Sequence, residues 1–221
     1  MDFIFMLTRQ DMTIGDCLDV FDLIVPTGVT HIGCKDVGVD IETLRELIRR
    51  IKAAGCTSYL EVVSTTPEAC LNSARIAVDI GVERLLGGTD AANILKAIEG
   101  SGVKYYPFPG RPEGHPTKLG GTPESVAADC ARFEKLGCAG VDLLAYRAFE
   151  ADPLDLVRAA RGAMKGYLAC AGSVDSPERI QALAAAGADA FTIGSAIFDG
   201  SFSKRKGSIL SQIKDVLAAC K

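Results

Sequence analysis

A glycine recurs where each helix-like segment should stop, immediately before a β-rich run, and this repeat limits the fold more than any other feature. The glycines are Gly28, Gly55, Gly81, Gly102, Gly137, Gly166 and Gly187, and the runs they announce include THIGC, TSYLEVV, KYYPF and AFTIG. Glycine suits the left-handed position that ends a helix. The spacings, 21 to 35 residues, each match one strand plus one helix. Helix starts carry the complementary signal. Thr66-Pro67-Glu68, Thr122-Pro123-Glu124, Asp152-Pro153 and Ser176-Pro177-Glu178 place a capping oxygen before a proline at the first helical position. Between starts and stops run apolar stripes at helical spacing, such as Leu44, Leu47, Ile48 and Ile51, or Ile209, Leu210, Ile213, Val216 and Leu217.

With a first strand at about Phe3–Thr8, the repeat gives eight strands. Strict strand–helix alternation implies parallel strands with right-handed crossovers. A flavodoxin-like open sheet needs only five or six. The expectation is one α/β domain over residues 1–221, a (β/α)8 TIM barrel with eight parallel strands, near the lower size limit of that fold.

Composition narrows the function classes. The 24 basic residues against 28 acidic leave a net charge of -4, so no basic excess is available for a run of phosphates and nucleic acid is not expected as a partner. No apolar run approaches the ~18 residues of a membrane span. The first residues, MDFIFML, lack a basic n-region and a cleavage site, and a cytoplasmic location is expected. Eight cysteines occur without a C-x-x-C pair, several inside apolar runs; they read as reduced, buried thiols. With only His31 and His115 and no H-x-H, neither a metal nor another cofactor is expected.

In such barrels the chemistry sits at the C-terminal ends of the strands. His31 begins strand 2 and belongs to the opposite, stabilising face. Lys35 and Asp36 end strand 2, Glu61 and Ser64 lie on strand 3, Arg111 and His115 lie in the loop after strand 5, and Asp142, Tyr146 and Arg147 belong to strand 6. Strand side chains alternate between lumen and helices. Ile32 and Cys34, Leu60 and Val62, and Val141 and Leu143 suit the helix side. That parity sends Lys35, Glu61, Asp142 and Tyr146 inward. Buried charges must be paired, so Lys35 and Glu61 fit a structural ion pair. They also fit catalysis, because a buried carboxylate becomes a usable proton acceptor beside a carbonyl, and a neighbouring lysine stabilises an enediolate or forms an imine. Arg111, His115, Tyr146 and Arg147 are further candidates for substrate contact, and the Pro- and Gly-rich loop from Pro107 to Gly121 is long enough to close over a ligand.

Strand 7 ends in Gly172-Ser173-Val174 and strand 8 in Gly194-Ser195-Ala196. Glycines there let backbone N–H groups approach an anion, and two such turns on adjacent strands point to a phosphate. A bulky residue at Gly194 is expected to block the anion and spare the fold.

The segment AGSVDSPERIQALAAAGADAFTIGSAIFDG, residues 171–200, resembles the last quarter of the ribulose-phosphate-binding barrels. That superfamily holds sugar-phosphate isomerases of histidine and tryptophan biosynthesis, ribulose-phosphate epimerase and 2-keto-3-deoxy-6-phosphogluconate aldolases. The resemblance implies phosphate binding by Gly172, Ser173, Gly194 and Ser195. The chain also departs from each subfamily. The isomerases carry an acid or thiol at the end of strand 1 opposite an Asp on strand 5, where this chain has Leu7-Thr8-Arg9 and Tyr106-Pro107-Phe108. The epimerases use a histidine-rich metal site. Residues 60–69, LEVVSTTPEA, are faintly similar to the aldolase segment with its catalytic glutamate, yet strand 6 reads Val141-Asp142-Leu143-Leu144, without the aldolase's imine-forming lysine.

The expected function is a metal-independent isomerase or epimerase of a small phosphorylated sugar or keto acid. Glu61 is the expected base, Lys35 the electrophile and Asp142 a second acid/base or hydroxyl-orienting group. The alternatives are a Schiff-base aldolase using Lys35, and a non-enzymatic phosphometabolite sensor like the antiterminator proteins of the same fold. The expected partner is a phosphorylated small molecule, with no nucleic acid and no membrane, and association into a homo-oligomer is compatible with this fold.

Overall fold

The computed structural model describes residues 1–64 and 66–221; Thr65, inside the aldolase-like segment, lies outside the described residues. Eight parallel strands form the barrel: β1 Asp2–Met6, β2 His31–Lys35, β3 Thr57–Glu61, β4 Arg84–Leu86, β5 Lys104–Tyr106, β6 Gly140–Leu143, β7 Tyr167–Cys170 and β8 Ala190–Ile193. Sheet pairing runs from β6 through β7, β8, β1, β2, β3 and β4 to β5. The ring closes where Ala139 N donates to Tyr105 O and Asp142 N to Pro107 O, both at 3.0 Å. The outer helices are α1 Cys17–Ile24, α2 Ile41–Ala53, α3 Pro67–Ile80, α4 Ala91–Ala97, α5 Pro123–Leu136, α6 Pro153–Ala163 and α7 Pro177–Ala186, followed by a short α8 Ser195–Phe198 and by α9 Ile209–Ala219. No helix among the described residues is long and apolar enough to cross a membrane.

The glycine punctuation works as chemistry requires, with one exception. Six of the seven glycines have positive φ, and Gly81, Gly137 and Gly187 cap their helices in the left-handed conformation. Gly166 does not. The residue capping α6 is Met164, in extended backbone, and Gly166 is needed for space: a Cβ there would lie 3.0 Å from Ala139 O and 3.1 Å from Gly140 Cα. Thr122, Asp152 and Ser176 cap α5, α6 and α7 through their side chains, whereas the Thr66 side chain makes no capping bond.

Side-chain parity divides the core in two. Ile32, Cys34, Leu60, Val62, Val141 and Leu143 join the large apolar layer between strands and helices. Ile4, Met6, Tyr59, Leu86, Tyr106, Ala169 and Ala190 fill the lumen. All eight cysteines are free, and seven are buried. The lower lumen is sealed by Arg84, whose guanidinium stands 4.8–5.9 Å from the ring centres of Tyr59, Tyr106 and Tyr167 and donates to Tyr59 Oη at 2.8 Å. His31 meets the same hydroxyl at 2.8 Å, on the stabilising face where its place in β2 put it. With that end plugged, the polar groups of the upper lumen open only toward the C-terminal mouth.

Strand 1 stops earlier than its apolar pattern suggests. The chain leaves the barrel after Leu7 and turns back as a hairpin, Thr8–Arg9 pairing with Met12–Thr13. Its two central residues, Gln10 and Asp11, both have positive φ, the geometry of a tight two-residue hairpin turn. A second hairpin, Arg111–Glu113 with Lys118–Gly120, occupies the long loop after β5.

Candidate active site

A cavity of about 710 Å³ opens at the C-terminal mouth, lined among others by Thr8, Asp11, Lys35, Glu61, Thr117 and Arg147. That volume accommodates a phosphorylated compound of several carbons. Lys35 is the hub. Its Nζ lies 2.8 Å from Asp11 Oδ1 and 3.1 Å from Glu61 Oε1. Thr13 fixes its backbone on both sides: Thr13 Oγ1 donates to Lys35 O and accepts from Lys35 N, each at 2.8 Å. Burial alone would discharge such a lysine, but the Glu61 and Asp11 charges outweigh burial and hold the ammonium above its ordinary pKa.

Asp11 is the other hub, and the sequence reading missed it. Arg147 donates to both its oxygens at 3.1 Å and to Thr117 O at 3.2 Å. Burial opposes ionisation of Asp11, yet the Arg147 hydrogen bonds and the Lys35 charge win and lower its carboxyl to about 2. Residues 7–9 carry no acid, but the hairpin that follows them folds Asp11 back over the mouth. The signal was weak, since Gln-Asp is not the usual glycine-containing hairpin pair.

Asp142 points into the lumen as strand parity requires, but it lies beneath the cavity and is not among its lining residues. It is fully buried, and neither carboxylate oxygen has a hydrogen-bond partner among the described residues. Burial, with the Glu61 charge added, pushes its carboxyl well above the usual range, against the pull of Lys35 and Arg147. A proton on Asp142 leaves two cations facing two carboxylates in a neutral cluster.

Two expected contacts, Arg111 and His115, fall away from the cavity, and Tyr146 reaches it from another position than strand parity suggests. Arg111 turns away to Glu150 at 2.6 Å and Glu113 at 3.4 Å. His115 is exposed on its hairpin, which reaches the cavity instead through Pro116, Thr117 and Lys118. Tyr146 is not in the lumen: it sits in the 3-10 turn after β6, where the Arg179 guanidinium stacks over its ring at 4.7 Å. It still lines the mouth.

The two Gly-Ser turns lie side by side on this cavity, with Gly172, Ser173, Val174, Gly194, Ser195 and Ala196 all in its wall. Ser173 holds φ +58°. The N–H groups of Ser173, Val174, Ser195 and Ala196 have no acceptor among the described hydrogen bonds. Gly194, however, is packed from behind. A Cβ there would stand 2.7 Å from Thr8 Oγ1 and 2.8 Å from Thr8 O, so a bulky residue would displace the hairpin before it met a ligand. The expectation that such a change spares the fold is therefore corrected.

No family model matches the chain, and no curated protein matches its sequence. Solved structures do match in fold. Orotidine 5'-phosphate decarboxylase from Pyrococcus horikoshii superposes with a TM-score of 0.70 at 12% identity, over 99% of this chain and 98% of that one. A chain of the tryptophan synthase complex from Pyrococcus furiosus gives 0.68 at 14%, over 99% and 97%. Native KDPGal gives 0.66 at 12%, over 100% and 92%. These structures share the barrel fold with this chain over its whole length.

Proposed function

We propose that the protein is a metal-independent enzyme that moves a proton next to the carbonyl of a small phosphorylated sugar or keto acid, as an isomerase or epimerase. The observation that carries this is the clamp on Lys35. An imine-forming lysine must be neutral to attack a carbonyl, whereas Lys35 is held as an ammonium between two carboxylates. An ammonium suits the electrophile's role: it stabilises the oxyanion that forms when a proton leaves the adjacent carbon. This favours enolisation over a Schiff-base aldolase.

Glu61 is the base. Asp11, with both oxygens engaged by Arg147 and a pKa of about 2, is a poor acceptor, while Glu61 lines the cavity with Lys35 as its one cation among the described ion pairs. Glu61 takes the proton from carbon, the C–H electrons form the enediolate double bond, and the carbonyl electrons move to the oxygen facing Lys35. When the hydroxyl on the adjacent carbon passes its proton to that oxygen and Glu61 returns the carbon proton to the former carbonyl carbon, the carbonyl has moved one carbon along and the result is isomerisation. Returning the proton to the other face of the original carbon re-forms the carbonyl and gives epimerisation. Arg147 and Asp11 hold Lys35 in place, and Asp142 stores a proton beneath it. The Gly172–Val174 and Gly194–Ala196 turns anchor the phosphate.

The anchor is tested by introducing a negative charge at an exposed position. Ser195 is the first residue of α8, where an acidic side chain is tolerated or favoured. Ser195→Asp should keep the melting temperature and weaken inorganic phosphate at least about tenfold, since like charges about 4 Å apart repel strongly. Equal phosphate affinity in both proteins, measured by calorimetry, rejects the anchor.

A further inference from the structure

The wall that should hold a phosphate dianion carries two carboxylates. Asp175 and Asp199 both line the cavity beside the Gly-Ser turns, and left alone each would repel the ligand. Neither is alone. Arg179 pairs with Asp175 at 3.0 Å, and Arg9 pairs with Asp199 at 2.6 Å. The second pair comes from a distant part of the chain. Arg9 belongs to the hairpin that carries Asp11 to Lys35, and Asp199 closes the turn that begins at Ser195, its N–H donating to Ser195 O at 2.8 Å. The side chains of Arg9 and Asp199 are 56% and 50% exposed; an ion pair so exposed is weak and readily exchanged.

The hairpin between these points has little freedom to move independently. Thr8 is in contact with Gly194, Asp11 holds Lys35 and Arg147, and Thr13 brackets the Lys35 backbone. A pull on Arg9 is therefore felt at Lys35. We propose that Arg9 is a ligand of the substrate's phosphate, with Asp199 as its resting partner, and that this contact couples phosphate binding to the placement of Asp11 against Lys35. The inference rests on the phosphate-anchor reading. A guanidinium suits the task because it donates two parallel hydrogen bonds to phosphate oxygens. Its companion Arg179 is committed elsewhere, to the Ser173 carbonyl and the Tyr146 ring, which leaves Arg9 as the more exchangeable of the two.

The experiment titrates inorganic phosphate calorimetrically into wild type, Arg9→Met, Arg9→Lys and Asp199→Asn, with hydrogen exchange followed at Gln10 to Met12. Arg9→Met should bind phosphate roughly tenfold more weakly, the scale of a lost charge-assisted contact. Arg9→Lys should recover part of that loss, and Asp199→Asn should bind several-fold more tightly. Melting temperatures without phosphate should stay close to wild type in all three variants. Phosphate should slow exchange at Gln10 to Met12 in wild type and not in Arg9→Met. Equal affinity in wild type and Arg9→Met overturns the assignment of Arg9 while leaving the anchor standing. Weaker binding with exchange at Gln10 to Met12 unchanged in wild type overturns the coupling. If phosphate fails to bind wild type at all, the anchor and this inference fall together.

Discussion

Glu61→Gln should remain folded and lose about 10²–10⁴ of its turnover, the usual cost of removing a general base. The fold is spared because Lys35 keeps Asp11 at 2.8 Å when Glu61 becomes neutral. Lys35→Met should behave differently. It strands Glu61, which is 7% exposed and has no other cation among the described ion pairs, and leaving a buried charge unpaired costs roughly 3–5 kcal/mol. Asp11 is protected in that variant by Arg147. The double change Lys35→Met/Glu61→Gln should therefore regain most of the stability lost by Lys35→Met and stay inactive. Return of activity in the double variant, read alongside its urea midpoint, would reduce Lys35 and Glu61 to a structural ion pair.

Asp142→Asn should be more stable than wild type at neutral pH, and the gain should grow with pH. Asp142 binds its proton more tightly folded than unfolded, because burial and the Glu61 charge raise its pKa. Wild-type stability then falls as pH rises from the ordinary carboxylate range toward that raised value, the window in which the unfolded chain has released the proton and the native one has not. Asparagine has nearly the same shape and no such titration. Thermal unfolding of both proteins across pH checks this; parallel curves would mean that Asp142 is not held neutral. The same variant should lose proton-transfer activity if Asp142 returns its stored proton through Glu61, and a purely structural acid would leave turnover intact.

Much of this was legible in the chain because it depends on local signals. Glycine at helix stops, capped proline at helix starts and alternation within strands act over a few residues, so eight strands and the inward set Lys35, Glu61 and Asp142 followed directly. The Gly-Ser turns were visible for the same reason. Asp11 was not, because its role depends on a hairpin that reverses the chain after β1 and brings it within reach of Arg147, 136 residues away. Tyr146 departs from strand parity because β6 ends at Leu143 and a 3-10 turn rotates the side chain out of register. Arg111 and His115 lie in a mouth loop that is itself a hairpin, and the Arg111 side chain has a carboxylate partner, Glu150. Gly194 serves packing as well as any ligand, because Thr8 already fills the space behind it, a contact between distant parts of the chain that no local pattern announces.

In the proposed reaction a phosphate-anchored carbonyl compound loses a carbon-bound proton to Glu61 beside an ammonium at Lys35. Its most direct test is deuterium incorporation from D₂O into a panel of phosphorylated ketoses and keto acids, followed by NMR. At least one phosphorylated member should exchange the hydrogen next to its carbonyl with wild type, its dephosphorylated counterpart should not, and Glu61→Gln should bind the same compound without exchange. Binding at the Gly-Ser turns with no exchange in any phosphorylated member, or exchange equally fast in wild type and Glu61→Gln, would contradict proton transfer by Glu61.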